Sequence, residues 1–214
     1  MLELGLKVLI SYLAGSLNGS LILGWIRGVD IRTMGSGNAG GTNALRTLGV
    51  KSALLVMLID IGKGFLPAAL LPGLALPGVP LDPEISRNWL ALACAGAAVV
   101  GHCYPVWFGF KGGKGAATAI GAIAAINVAL LPAGAIAWFA VLVLTGYVGL
   151  ATMTAAVTMA VYAWFAGDAS QPDVFVFLVA LAGFIIYTHR SNISRLLNGT
   201  ENRMERAMLL RRSR

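Results

Sequence analysis

Long apolar runs separated by short polar islands organise this chain. Residues 4–26, 52–71 and 89–108 are each apolar over enough length to cross a hydrocarbon core of ~30 Å as a helix rising 1.5 Å per residue. The first run carries Ser11, Ser16, Asn18 and Ser20, which should face protein or water. Its Gly15 and Gly19 form a G-x-x-x-G pair that permits close helix contact. The second run holds Asp60 and Lys63, spaced i, i+3 on one helical face, where charges are costly unless paired or functional. Residues 72–87 follow as a proline-rich loop with Asp82, Glu84 and Arg87, and the third run leads into a basic glycine-rich loop.

Residues 116–166 contain no charged side chain, so the number of crossings there follows from parity. Lys111 and Lys114 mark a cytoplasmic loop and the acidic segment 167–173 marks the outside, which requires an odd number of spans between them. One helix of that length is implausible; three are predicted, each of about 16 or 17 residues, near the lower limit for spanning. The breaks are expected near 127–133 and 145–152, and a last span is expected over 174–187. The resulting expectation is an all-α polytopic membrane protein, one domain over 1–214. It has seven transmembrane helices, the N-terminus outside and the C-terminus cytoplasmic. All of the sixteen Lys and Arg residues except Lys7, Arg87 and Lys63 then fall on the cytoplasmic side.

Composition sharpens this picture. Of 214 residues, 57% are hydrophobic and only 12% charged, which excludes an ordinary soluble domain. The net charge of +7 lies between apolar runs with few aromatics beside it, so it reads as membrane orientation and not as a nucleic-acid surface. Cys94 and Cys103 make no metal-ligand spacing with the two histidines and read as packing residues; no metal or cofactor is expected. The N-terminal run lacks a basic leader and reads as a retained span. Two glycosylation sequons, at Asn192 and Asn198, fall on the cytoplasmic side and read as chance matches.

Three polar islands fall on one predicted membrane face. The central one, GHCYPVWFGFKGGKGAAT at 101–118, places Lys111, Gly112, Gly113, Lys114 and Gly115 between two apolar runs. Glycines let backbone N–H groups approach an anion, the lysines add charge, and the following helix start favours negative charge. It is not a Walker A loop: the spacing is one residue short, and glycine stands where Ser or Thr would hold magnesium. The first island, GSGNAGGTNALRTLG at 35–49, gathers Asn38, Thr42, Asn43 and Arg46 as anion donors. In the third, THRSNISRLLNGTENR at 188–203, His189, Asn192 and Arg195 line one face if the helix continues. Each island alone has a plainer reading, as a topogenic loop or a tail held at anionic headgroups.

The three islands in this order resemble the bacterial acyl-phosphate:glycerol-3-phosphate acyltransferase (PlsY) family, over nearly the whole chain, and Asp60 with Lys63-Gly64 matches that family's second span. The first motif departs mildly at Ala39 and Gly40-Gly41, and Cys103-Tyr104 stands where Phe or Leu is usual. The resemblance implies an enzyme of the bacterial inner membrane with its site on the cytoplasmic side. It would transfer a fatty acyl group from acyl phosphate to the 1-hydroxyl of glycerol-3-phosphate, giving lysophosphatidic acid and inorganic phosphate. It implies catalytic roles for Ser36, Arg46, His189 and Asn192. Substrate phosphate would be bound by residues 111–115 with Asn38, Thr42, Asn43 and Lys63, and Glu201 and Asp60 would be structural. The implied partners are the two substrates and the bilayer, with no nucleic acid and no obligate protein partner.

The chemistry is compatible with that implication. Acyl phosphate brings its own leaving group, so the protein need only position the hydroxyl, neutralise phosphate and help one proton leave. His189 and a phosphate oxygen of glycerol-3-phosphate are both candidates for the proton. No acid-serine-histidine triad is apparent, which favours direct transfer with Ser36 on phosphate. A transporter for a phosphorylated solute is the alternative class, with Asp60 and Lys63 as a coupling site, but the chain lacks a clear inverted repeat.

Overall fold

The computed structural model describes residues 1–166 and 172–209, and within them the regular structure is entirely helical. Most of the acidic segment expected outside, and Arg211, Arg212 and Arg214 of the basic tail, lie outside the described residues. The chain forms two compact units, Met1–Val128 and Ala129–Arg214. The first contains α1 (Leu2–Gly15), α2 (Gly19–Ile26), α3 (Gly41–Leu48), α4 (Val50–Leu70), α5 (Arg87–Cys103) and α6 (Ala116–Asn127). The second contains α7 (Leu131–Thr145), α8 (Val148–Ala166), α9 (Pro172–Thr188) and α10 (Arg190–Leu197).

Burial is reversed relative to a water-soluble protein. Lys7, Ser11, Asn18, Ser20 and Asp60 are fully buried, while Leu54, Leu58, Leu66 and Leu70 on α4 are exposed. Such an arrangement suits lipid, where apolar side chains face the solvent and polar ones must find partners inside. Among the described residues four stretches are long and apolar enough to cross a membrane: Val50–Gly73, Arg87–Phe108, Ala116–Thr145 and Val148–Ala166. Two bent pairs, α1 with α2 at 46° and α9 with α10 at 57°, raise the number to six. The expected seven is not reached by length and composition. Where three spans were expected between 116 and 166, two stretches qualify, because the break expected near 127–133 is a single 3-10 turn, Val128–Leu130, and not an open loop.

In the first unit the predicted first span is broken at residues 16–18. Asn18 stops it by capping α2, accepting from the Ser20 and Leu21 N–H groups at 3.1 and 3.2 Å. Gly15 and Gly19 consequently serve different neighbours: a Cβ on Gly15 would overlap the Ala98 carbonyl of α5, whereas Gly19 lies against Val56 and Asp60 of α4. The α4–α6 contact is similarly close, since a Cβ at Gly64 or Gly121 would overlap the carbonyls of Thr118 or Ile61.

One end of this unit is pinned by ion pairs. Glu3 receives Lys7 at 2.7 Å and Arg87 at 2.5 Å, and its second oxygen accepts from the Asp82 N–H at 2.8 Å. Lys7 and Arg87, the two cations expected outside, therefore share one carboxylate. In the second unit α8 packs against α7 and α9, with Trp138 donating to Thr152 at 3.2 Å, and the helix turns at His189, which caps α10.

Candidate active site

The first polar island is folded by its own side chains. Asn43 accepts from the Ser36 N–H at 2.9 Å and donates to the Ile31 and Met34 carbonyls at 3.1 and 3.0 Å, and Gly35 takes φ +56° directly against it. The island thus closes as a compact turn ahead of α3. Gly40 precedes that helix, Thr42 and Asn43 occupy its first turn, and Arg46 projects from its exposed side. Ser36, Asn38 and Thr42 are half-buried around it.

The second island folds back onto the end of α5. Gly109, Phe110 and Gly115 adopt φ of +65°, +59° and +83°, which reverses the chain twice before α6 begins. Gly112 N–H donates to the Cys103 carbonyl at 3.0 Å and Gly113 N–H to the His102 carbonyl at 3.1 Å. These amides are therefore held within the loop, where they had been expected to face an anion. The two glycines are required instead by close approach: a Cβ on either would overlap His102 atoms. Lys111 is exposed, Lys114 is half-buried, and Gly115 opens α6.

Asn18 ties the first island to the second, and Arg32 ties the segment just ahead of the first island to the second. Asn18 Nδ2 donates to the Ala39 carbonyl at 3.3 Å and the His102 carbonyl at 3.4 Å. Arg32 donates to the Phe108 and Lys111 carbonyls at 3.2 and 3.1 Å while paired with Asp30 at 2.9 Å. The Arg32 hydrogen bonds hold the Asp30 carboxyl below its ordinary range, and Asp30 in turn raises the Arg32 guanidinium.

Beneath this junction lies a buried charged cluster. Asp60 Oδ1 receives Lys63 Nζ at 2.8 Å and the Gly19 N–H at 3.1 Å, with His102 Nδ1 3.5 Å away. Lys63 also donates to the Leu17 carbonyl at 3.2 Å. Lys63, expected on substrate phosphate, is thus engaged by Asp60 and by the broken end of α1. His102 was overlooked by sequence reasoning, which weighed it only as a metal ligand; its signal was its place inside the second island, at the end of the apolar run that leads into the glycine loop. Arg32, read as an orienting charge, and Asn18, read as a polar face, were likewise undervalued.

In the second unit, His189 is buried at the α9–α10 bend, with Nδ1 2.7 Å from the Ile185 carbonyl. Because a carbonyl only accepts, this contact places a hydrogen on Nδ1, so that in the neutral ring Nε2 is the nitrogen with the lone pair. Asn192 donates to Glu201 Oε1 at 2.7 Å, and Arg195 donates to Oε2 at 2.7 Å. A Cβ on Gly149 would press on Asn192. The third island is therefore an internally bonded set in which Glu201 fixes Asn192 and Arg195. Among the described residues no cluster of His, Cys, Asp and Glu forms a metal site.

A family model described as "Glycerol-3-phosphate acyltransferase" matches residues 5–199. Glycerol-3-phosphate acyltransferase of Aquifex aeolicus (strain VF5) is 38% identical over 196 residues, covering 92% of this chain and 96% of the relative. That of Halalkalibacterium halodurans is 42% identical over 214 residues, covering 96% and 98%. Among solved structures, the glycerol 3-phosphate form of PlsY (YgiH), an integral membrane glycerol 3-phosphate acyltransferase, superposes with a TM-score of 0.81 at 35% identity, covering 94% of this chain and 95% of that one. Its lysophosphatidic acid form gives 0.78, again at 35% identity, covering 94% of each chain. The fold is that of an all-helical integral membrane enzyme. The chain belongs to the glycerol-3-phosphate acyltransferase (PlsY) family and is an acyltransferase.

Proposed function

We propose that this protein transfers a fatty acyl group from acyl phosphate to the 1-hydroxyl of glycerol-3-phosphate, releasing lysophosphatidic acid and inorganic phosphate. The supporting observation is the junction of the first two polar islands at the end of apolar helices, where Asn18 bonds both Ala39 and His102. A site there can take phosphate from water and an acyl tail from the bilayer. The glycerol 3-phosphate and lysophosphatidic acid forms of the PlsY relative support the acceptor and product.

In this reading the substrate hydroxyl attacks the acyl carbonyl, the bond from acyl carbon to phosphate oxygen breaks, and phosphate leaves with the electron pair. Arg46, Lys111 and Lys114 supply positive charge, with Ser36, Asn38, Thr42 and Asn43 around the first loop and residues 112, 113 and 115 shaping the second. Lys63 is assigned to holding the phosphate region from below, through Asp60. His189, with its lone pair on Nε2, takes the hydroxyl proton, unless the phosphate of glycerol-3-phosphate does so itself. Asn192 orients substrate, and Glu201 keeps Asn192 in place. Acyl phosphate supplies its own leaving group, and no cofactor enters the scheme.

The proposal includes an inner-membrane location with the site on the cytoplasmic side, the N-terminus outside and the C-terminus inside, through seven crossings. A 30-residue Ala116–Thr145 helix would extend roughly 45 Å, well beyond the ~30 Å core. Division at the Val128–Leu130 turn gives two short crossings and brings the arginine-rich tail to the cytoplasm.

The test is phosphate release and lipid formation by the purified protein. Both should require acyl phosphate and glycerol-3-phosphate together. Equal turnover when acyl phosphate is replaced by an acyl thioester would reject the assigned donor. A solute flux in vesicles with no acylated product would favour the transporter class instead.

A further inference from the structure

We infer that His102 is a positioning residue for the glycine loop, linking it to the membrane-buried Asp60–Lys63 pair. Side chain and backbone of His102 both converge on the loop. Its carbonyl accepts from Gly113 N–H at 3.1 Å and from Asn18 at 3.4 Å. Its ring is turned so that Nε2 lies beneath Gly113, where an added Cβ would overlap it and the Ala39 carbonyl. The opposite ring nitrogen, Nδ1, stands 3.5 Å from Asp60 Oδ1. His102 is only 2% exposed, so no movement of the ring is independent of these neighbours.

The requirement for glycine at 113 follows from this ring. It lets the loop settle directly on the imidazole, and the imidazole is in turn aligned by a carboxylate that Lys63 and the Gly19 N–H hold in place. A carboxylate facing Nδ1 favours the tautomer with hydrogen on that nitrogen. Asp60 Oδ2 and His102 Nδ1 are both buried without a hydrogen-bond partner, and the carboxylate is the charged group that Nδ1 faces, 3.5 Å from Oδ1. The loop thereby rests on a support that is electrostatically aligned and not simply filled.

The inference rests on the reading that this loop holds a substrate phosphate, and its test separates the two. The full-length protein is compared as wild type, His102→Asn, His102→Gln and Gly113→Ala. Asparagine retains an amide near the Nδ1 position that can face Asp60, whereas glutamine places its amide near Nε2. Two readouts are taken: hydrogen exchange of the peptide spanning 105–115, which needs no activity, and steady-state kinetics for each substrate.

His102→Gln and Gly113→Ala should speed exchange of the loop amides about tenfold or more, and His102→Asn should stay within about threefold of wild type. The same two variants should raise KM for at least one phosphate substrate about tenfold with kcat within about threefold, because a misplaced binding loop loses uniform binding. Their combination should be no more than about twofold worse than the poorer single variant, since both disturb one contact. Unchanged loop exchange in His102→Gln overturns the inference, as does additivity or a loss confined to kcat. If wild type acylates nothing with these substrates, the proposed function fails while the exchange comparison still decides the role of His102.

Discussion

Lys63 donates to Asp60 at 2.8 Å from one turn further along the same apolar helix, and both side chains are buried. Removing one partner leaves an uncompensated charge in a low-dielectric interior, a loss of about 3–5 kcal/mol for buried pairs. Lys63→Met should therefore depress expression or thermal stability strongly, and Asp60→Asn combined with Lys63→Met should restore it. Restored folding without activity assigns the pair a role in the reaction; restored activity makes it a structural element only. Both are read by detergent-phase melting and product formation.

The turn at Val128–Leu130 decides where the tail emerges. Single cysteines near Asp82 should react with an impermeant maleimide in intact cells, and cysteines near Gly40, Gly112 and Thr200 only after permeabilisation. Labelling at Thr200 from outside, with Gly112 protected, would mean that Ala116–Thr145 crosses once and that six crossings replace seven.

Arg46 is exposed on α3 beside the island closed by Asn43. A guanidinium placed on a substrate phosphoryl group contributes kilocalories, whereas a tail charge contributes only headgroup attraction. Arg46→Ala should lower kcat/KM by about 100-fold, with Arg211→Ala within about threefold of wild type. Equal kinetics in the two variants would remove Arg46 from the site.

The Ile185 carbonyl holds the His189 ring by Nδ1, so in the neutral ring the basic atom is Nε2. If that atom takes the hydroxyl proton, His189→Ala should reduce kcat by roughly 100-fold and flatten the acidic limb of the pH-rate profile, the usual scale for losing a general base. His189→Gln keeps a hydrogen-bonding amide but no base near neutral pH. Near-native turnover in His189→Gln at saturating substrate would assign the proton to the substrate's own phosphate.

Much of the architecture is legible in the sequence because lipid imposes a one-dimensional code of apolar runs and charged caps. The Asp60–Lys63 pair is legible for a related reason: i, i+3 spacing places both on one face before any tertiary contact is known. Long-range partners are not written locally. His102 looks like a solitary histidine in an apolar helix, and the carboxylate that aligns it belongs to α4. Asn18 gives the same signal as any polar residue in a span, although it ends one helix and caps the next. The amides of Gly112 and Gly113 illustrate the opposite error: glycine content predicted freedom to face an anion, and the end of α5 claimed their hydrogens first.

The carboxylate of Glu3, shared by Lys7 on its own helix and by Arg87 at the start of α5, sets an order for biogenesis. The leading helix reaches the bilayer with one acid and one base that neutralise each other one turn apart. The third party is translated 84 residues later, after α4 and the loop that follows it. Until then the carboxylate lacks its guanidinium, and the Asp82 amide that completes its coordination has also not arrived. Release of α1 into lipid before α5 emerges would leave the Glu3 carboxylate with Lys7 as its only cation. The ionic knot therefore closes only once α1, the loop carrying Asp82 and the start of α5 are all present, so this end of the first unit is completed late in chain order.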